Sequence, residues 1–338
     1  MVSIEKLKVL SLFSGIGAFE KALSNIGIDY ELVGYSEVDD GYGKELQRVY
    51  EEMHNAKDKY LGLVQGVKGH DLGQVDIITH GSPCQSFSIA GLQEGADEGS
   101  DTKSSLMWET VRIIKESKPK FVIWENVKSV LHKKHIPNFN KYIETMDNLG
   151  YESYYDVLRA SDFGLPQKRE RVFVVSVPKG HKFEIPKSTD QSKRLSDILE
   201  DEVDDKYDIP RDMITNWYNK KPPFGDRFSL LKRDDVGYTL VAKGGRAVIT
   251  NNYILKNESD CALIDKYKKK DALGQIISTG VEIRALTPRE YWRMMGWSEA
   301  SIDKVGDMGV SDARLYKMAG NSIPINVLEE IFKSLFKM

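Results

Sequence analysis

The spacing of apolar residues divides most of the chain into strand and helix candidates. Lys8 to Phe13 (KVLSLF) fits a buried strand and leads directly into Ser14-Gly15-Ile16-Gly17-Ala18-Phe19-Glu20. Phe19, Ala22, Leu23 and Ile26 then recur at helical spacing and Gly27 closes the pattern, so the chain opens as strand, glycine turn, helix. Further strands are expected over Glu31 to Ser36, through Val75, Ile77 and Ile78, over Phe121 to Trp124, Tyr154 to Leu158 and Val172 to Val177. Helices are expected from Leu106, with Met107, Val111 and Ile114 on one face and Lys118-Pro119 at the end, and around Phe139 to Leu149. This alternation predicts the α/β class, with a doubly wound, mostly parallel sheet. After Pro178-Lys179-Gly180 the alternation stops. An acidic run (Glu200 to Asp205), the turn-rich Lys220 to Asp226 and the short extended pieces Tyr238 to Val241 and Ala247 to Thr250 point to a separate, smaller domain. Near the end, Thr287-Pro288 is a helix-start signal. Leu328, Ile331, Phe332 and Leu335 give a final helix one apolar face after Gly320-Asn321-Ser322-Ile323-Pro324.

Composition narrows this picture. A chain of 338 residues suits one large domain plus a smaller one. No apolar run approaches the ~20 residues of a membrane span, and MVSIEKLKVL lacks the order of a signal peptide, so a soluble, cytoplasmic protein is expected. Only two cysteines occur, Cys84 and Cys261, which argues against a disulfide framework or a zinc site built from cysteine pairs. The net charge of -3 does not advertise nucleic-acid binding, so local basic clusters matter more than the total.

The candidate chemistry gathers around GSPCQSFS, Gly81 to Ser88. A lone cysteine is most often a small core residue. Here Pro83 fixes the turn before Cys84, and polar Gln85, Ser86 and Ser88 follow it, which favours a nucleophile held past a strand end. Glu125 ends the strand Phe121 to Trp124, where open α/β sheets place their chemistry. The glycine turn would let a cofactor approach the backbone, and Glu37, about 20 residues on, could accept hydrogen bonds from a ribose. Glu20 stands where the third glycine of a dinucleotide fingerprint would be, which counts against a dehydrogenase. Asp71 could meet the far end of an adenosine, or be an ordinary turn aspartate. Ile89 to Ser105, rich in glycine, is expected to be a lid. In Gln167-Lys168-Arg169-Glu170-Arg171, an extended backbone would put Gln167, Arg169 and Arg171 on one face, suited to anionic substrates. His132 to His135 reads as a solvated basic face rather than a metal site.

Taken together, LFSGIGAFE, GSPCQSFS, ENV, QKRER, RALTPREYWRMMGW and GNSIPINV, in that order, resemble the motifs of the DNA (cytosine-5)-methyltransferase family of bacterial and phage modification enzymes. The resemblance covers almost the whole chain. Ala18 departs from a glycine common in the first motif, and the lid lacks an Arg-Gly usual before the next helix. The resemblance implies the fold of the S-adenosylmethionine-dependent methyltransferases, with residues 1–178 plus 284–338 as catalytic and cofactor-binding domain and 179–283 as target recognition domain. It implies transfer of a methyl group from S-adenosyl-L-methionine, leaving S-adenosyl-L-homocysteine, to carbon 5 of a flipped-out cytosine through a covalent Cys84 adduct. Glu125, Arg169 and Arg171 are the other catalytic candidates it implies. Phe13, Gly15, Gly17, Glu37, Val38, Asp71, Leu72, Pro83, Asn321 and Ser322 are its cofactor-binding candidates. Ser86, Gln93, Thr239 and Arg246 are the candidates for DNA contact. Double-stranded DNA is the expected partner of a monomer needing no metal and no membrane, with a restriction endonuclease as companion in some settings. Rival readings are a transfer-RNA substrate, a catalytically silent DNA-binding module and, weakest, a dehydrogenase.

Overall fold

Where the first glycine turn was expected, β1 (Leu7–Leu12) runs through it into α1 (Ala18–Asn25), and Gly27 closes the turn after α1 at φ 75°. The computed structural model describes residues 6–83, 103–189, 191–219, 229–245, 252–260, 262–263 and 272–338. These fall into two compact units, one of Met1–Arg159, Glu170–Ser188 and Ile325–Met338, the other of Ala160–Arg169 and Thr189–Pro324.

The first unit is built on six strands. To β1 are added β2 (Tyr30–Ser36), β3 (Ile77–His80), β4 (Phe121–Val127), β5 (Tyr151–Arg159) and β6 (Glu170–Pro178), in the order β2-β1-β3-β4-β6-β5. β1 pairs in parallel with β2 and β3, and β3 with β4, whereas β6 runs antiparallel to both β4 and β5. The sheet is therefore mostly parallel, with one reversed strand that apolar spacing did not reveal. Every residue of β3 is buried, the pattern of a strand covered on both faces. Leu10, Ile78, Val122, Trp124 and Val174 share a core with Val111 and Ile114 of α3 (Met107–Ser117) and with Phe139, Tyr142 and Met146 of α4 (Ile136–Asn148). Each such side chain contributes roughly 1.5–3 kcal/mol by leaving water. The expected final helix is present as Ile325–Phe336, with Leu328, Ile331, Phe332 and Leu335 buried and Glu329 bonded to Asn25 at 2.6 Å. One helix went unread in the sequence, α2 (Gly41–His54). Asp40 caps it by accepting from the Tyr42 and Gly43 amides, and Leu46, Val49 and Tyr50 are buried at helical spacing.

The second unit has its own core of Ile209, Ile214, Tyr253, Leu255, Ile276, Val281, Ile283 and Ala285. A small sheet, β7 (Ser229–Leu231), β8 (Asn252–Leu255) and β9 (Ile283–Ala285), crosses it. Compactness draws the line elsewhere than the expected 179–283. β9 zips antiparallel onto β8, Tyr253 opposite Ala285, and carries Arg284 to Pro324 into the second unit. Thr287 starts the helix Pro288–Met294 with a full capping box, accepting from the Glu290 amide while Glu290 accepts from its own. Buried Glu290 also takes both guanidinium ends of Arg284 at 2.8 Å. The strand suggested over Tyr238 to Val241 is not a strand. The residue before it, Gly237, forms an isolated bridge with Gln167, and side chains of Asn252 and Gln167 accept from the Tyr238 and Leu240 amides.

Candidate active site

The glycine turn is strained in a specific way. Phe13, Gly15 and Gly17 all have positive φ, 54°, 57° and 79°. For a phenylalanine this costs roughly 1–3 kcal/mol and persists only where the surroundings over-determine it. The turn is pinned by Ser14 N–H donating to the Ser36 carbonyl at 3.2 Å and by Gly17 N–H donating to Ser14 at 2.9 Å. The two glycines serve different ends. A Cβ on Gly15 would meet nothing within 4 Å, so the backbone there is open to an approaching molecule. A Cβ on Gly17 would stand 2.0 Å from His54 Nε2, which itself lies 3.0 Å from the Ile16 carbonyl oxygen. Gly17 is thus required by its neighbour as well as by its φ. No spacing rule pointed to His54.

Glu37, at the end of β2, accepts from the Gly15 amide at 2.7 Å and the Val38 amide at 2.8 Å, tying the second strand end to the glycine turn. Burial pushes its carboxyl pKa up, and the two amide bonds work against that push. The Tyr60 hydroxyl donates to the Glu37 carbonyl at 3.0 Å, and Val38 is exposed. Asp71 is exposed on the short turn Gly69–Asp71, 3.4 Å from His70, while Leu72 packs against the main core.

Two neighbouring strand ends carry the other chemistry. β3 and β4 are in parallel register with His80 opposite Trp124. Beyond His80, Ser82 Oγ accepts from Trp124 Nε1 at 2.9 Å and from Asn126 Nδ2 at 3.2 Å, and the Ser82 carbonyl accepts from Asn126 Nδ2 at 3.1 Å. The segment leading into Pro83 is therefore bolted to the ENV end of β4. Cys84, Ser86 and Gln93 lie outside the described residues, as do Arg246 and the expected lid up to Thr102; its last residues belong to the short helical turn Lys103–Leu106. Glu125 is 9 % exposed, and its Oε1 lies 3.0 Å from Arg171 Nε. The antiparallel register of β4 on β6, with Val127 opposite Arg171, makes this pair. Below it, the His80 ring is parallel to Trp124 at 5.9 Å, and burial holds its pKa down to about 3, a neutral imidazole at pH 7.

Gln167 and Arg169 belong to the second unit. Gln167 donates to the Met294 carbonyl at 2.6 Å and accepts from the Leu240 amide at 3.3 Å. Arg169, expected beside the thiol and the base, is 3 % exposed and donates to the carbonyls of Leu240, Gly320 and Ser322 at 3.3, 3.2 and 2.9 Å. Thr239 is exposed, its hydroxyl 3.4 Å from the Lys168 carbonyl. Asn321 is exposed at the end of the helix Asp312–Asn321, and Ser322 after it is buried.

The family model for C-5 cytosine-specific DNA methylase matches residues 7–337. The chain belongs to this family. The methylase is 33 % identical over 93 % of its length to the type II methyltransferase M2.ScrFI of Lactococcus lactis subsp. cremoris, covering 80 % of that protein. It is 29 % identical to the orphan methyltransferase M.SPBetaI of Bacillus phage SPbeta, over 98 % of each chain. Its fold is shared with the Dnmt2 methyltransferase of S. pombe (TM-score 0.74, 18 % identity, 98 % and 99 % of the two chains). The Entamoeba histolytica methyltransferase EhMeth has the same fold (TM-score 0.76, 18 % identity, 98 % of each chain). The enzyme is thus a DNA (cytosine-5-)-methyltransferase of the kind found in bacterial and phage modification systems, and its family implies S-adenosylmethionine as methyl donor. The glycine turn fits that cofactor: Gly15 leaves its backbone open, and a half-buried carboxylate stands bonded to it. Among the described residues, no helix is long and apolar enough to cross a membrane.

Proposed function

We propose that the methylase modifies a cytosine rotated out of a specific duplex DNA sequence, through a transient bond between Cys84 and carbon 6. The observation that carries this reading is the pairing of two strand ends. The lead-in to Cys84 is fixed by Ser82 to β4, whose next residues hold Glu125 against Arg171. Carbon 5 of cytosine is a poor nucleophile while the ring is aromatic. Addition of the Cys84 thiolate to carbon 6, with Glu125 hydrogen-bonding the N3 edge and amino group, shifts the electron pair to carbon 5. S-adenosylmethionine supplies an electrophilic methyl group when bound. Loss of the carbon 5 proton and departure of the Cys84 sulfur then restore aromaticity. Arg171 keeps Glu125 aimed. Arg169, bonded to three carbonyls, is a positioning residue of the second unit.

On the cofactor side, Gly15 and Glu37 receive the amino-acid and ribose portions, and Phe13, Val38, Asp71, Leu72 and Pro83 frame the adenine. Gly17 shapes the turn. Within a stacked duplex the thiol cannot attack carbon 6 while a methyl donor faces carbon 5, so the base must leave the helix at a cost of a few kcal/mol. Ser86 beside the nucleophile, the lid with Gln93, and the recognition region with Thr239 and Arg246 offset that cost. The enzyme acts as a monomer on cytoplasmic DNA.

Bisulfite sequencing of plasmid DNA incubated with the enzyme and S-adenosylmethionine tests the proposal. Protected cytosines at one recurring sequence are expected, with Cys84→Ala at least ~10⁴-fold slower. Full activity in Cys84→Ala, or methylation of transfer RNA and never of duplex DNA, would overturn it.

A further inference from the structure

In the stretch Thr239 to Lys243 exposure alternates. Thr239, Val241 and Lys243 are exposed while Leu240 and Gly245 are buried. Its backbone is held from beneath by the helix Asp312–Asn321 at two places and by Arg169 at a third. A Cβ on Gly320 would lie 2.4 Å from the Val241 carbonyl oxygen and 2.7 Å from the Ala242 nitrogen. A Cβ on Gly244 would lie 2.1 Å from Tyr316 Cδ1, and one on Gly245, whose φ is +70°, would be 3.2 Å from the same ring. Arg169 joins the Leu240 carbonyl to those of Gly320 and Ser322. Tyr316 is itself fixed. It is buried, its hydroxyl donates to the Leu286 carbonyl at 2.6 Å, and its ring stands edge-on to Tyr291 at 4.7 Å.

We infer that the helix Asp312–Asn321 is the seat of a DNA-reading segment, and that Tyr316 is a positioning residue for DNA recognition. This rests on the proposed action on duplex DNA. The held backbone turns outward a hydroxyl, an apolar side chain and a cation. Thr239 and Lys243 suit phosphate oxygens, and Val241 suits an apolar contact with a base edge such as a thymine methyl. A seat made of backbone against an aromatic ring leaves no room for a side chain at Gly244 or Gly320. It also fixes the height at which the three outward groups meet a groove.

Gly244→Ala is the sharpest test, because φ at Gly244 is not in the left-handed range and the three atoms nearest to the new methyl all belong to Tyr316. Steady-state methylation of a duplex carrying the target sequence is measured for Gly244→Ala, Tyr316→Ala, Tyr316→Phe and the double variant Gly244→Ala/Tyr316→Ala. Cofactor affinity is measured by calorimetry, and folding by thermal melts. KM for DNA should rise about tenfold in Gly244→Ala, the scale at which sub-ångström misplacement is felt, while cofactor affinity stays within about twofold. Tyr316→Phe, which keeps the ring, should hold KM for DNA near wild type. The double variant should lose less than the sum of the singles, since removing the ring takes away the two nearest contacts, at 2.1 and 2.3 Å, and leaves the Cβ of residue 316, at 2.8 Å, to shift. An unchanged KM for DNA in Gly244→Ala, an equal loss of cofactor affinity, or strict additivity in the double variant would overturn the inference. If Tyr316→Ala does not fold, Gly244→Ala decides alone. Wild-type enzyme that leaves duplex cytosine unmodified would sink the proposed function instead.

Discussion

Arg169 and Arg171 stand two residues apart in one motif, yet they illustrate two ways of holding a site in place. Arg171 lies on β6 of the sheet, where antiparallel pairing with β4 sets it 3.0 Å from Glu125, so the ladder register does the aiming. Arg169 lies in the second unit, outside its small sheet of β7, β8 and β9. It bonds three backbone carbonyls and so substitutes for one, joining Leu240 to Gly320 and Ser322. In the sheet, side chains inherit their positions from the backbone. In the second unit, side chains impose positions on the backbone.

The largest effect should separate chemistry from scaffolding. Glu125→Gln keeps the shape of the acid but loses its charge and its pair with Arg171, and kcat should fall roughly 10²–10⁴-fold with little change in DNA affinity. Single-turnover methylation checks this, and a loss confined to KM would move Glu125 out of the chemistry. Next, Arg169→Met should cost about 2–4 kcal/mol of stability, because it leaves buried carbonyls without a donor. Chemical denaturation measures it. A loss in kcat with full stability would assign Arg169 to the chemistry, as the family motif implies, and erase the contrast with Arg171.

The third prediction concerns the sheet alone. His80 is held neutral, its pKa pushed down by burial from 6.5 to about 3. The unfolded chain takes up a proton on this side chain below about pH 6.5, while the folded chain does so only near pH 3. Stability is therefore whole above the upper value and declines as pH falls between the two, by up to about 1.4 kcal/mol per pH unit. His80→Phe, which keeps a ring against Trp124, should flatten that decline by about one proton's worth. Parallel pH profiles for the two proteins would show that His80 is not responsible.

Much of the first unit was legible because its strands are short apolar runs that can be buried in few ways, and because glycine, proline and charged residues mark where they stop. The glycine turn, Glu37 at the end of β2 and Glu125 at the end of β4 follow from that punctuation. α2 was missed, although Asp40 and the spacing of Leu46, Val49 and Tyr50 carried a signal. The reversal of β6 was not legible, since a strand covered on both faces reads alike in either direction. In the second unit the reading of Tyr238 to Val241 as a strand failed for a related cause. Alternation of buried and exposed residues needs only an extended backbone, and here Gln167, Arg169 and Asn252 supply the partners that a neighbouring strand would have given.

The sequence by itself determined the family and the α/β class and named the candidate site residues, because motif order and apolar period are local properties of the chain. Tertiary structure alone decided which residues meet. It put Arg171 against Glu125, Ser82 under Asn126, His54 against Gly17 and Tyr316 beneath Gly244. Each is a contact between residues distant in the chain, set by register and by the space a missing side chain leaves, and neither is written in the spacing of apolar residues.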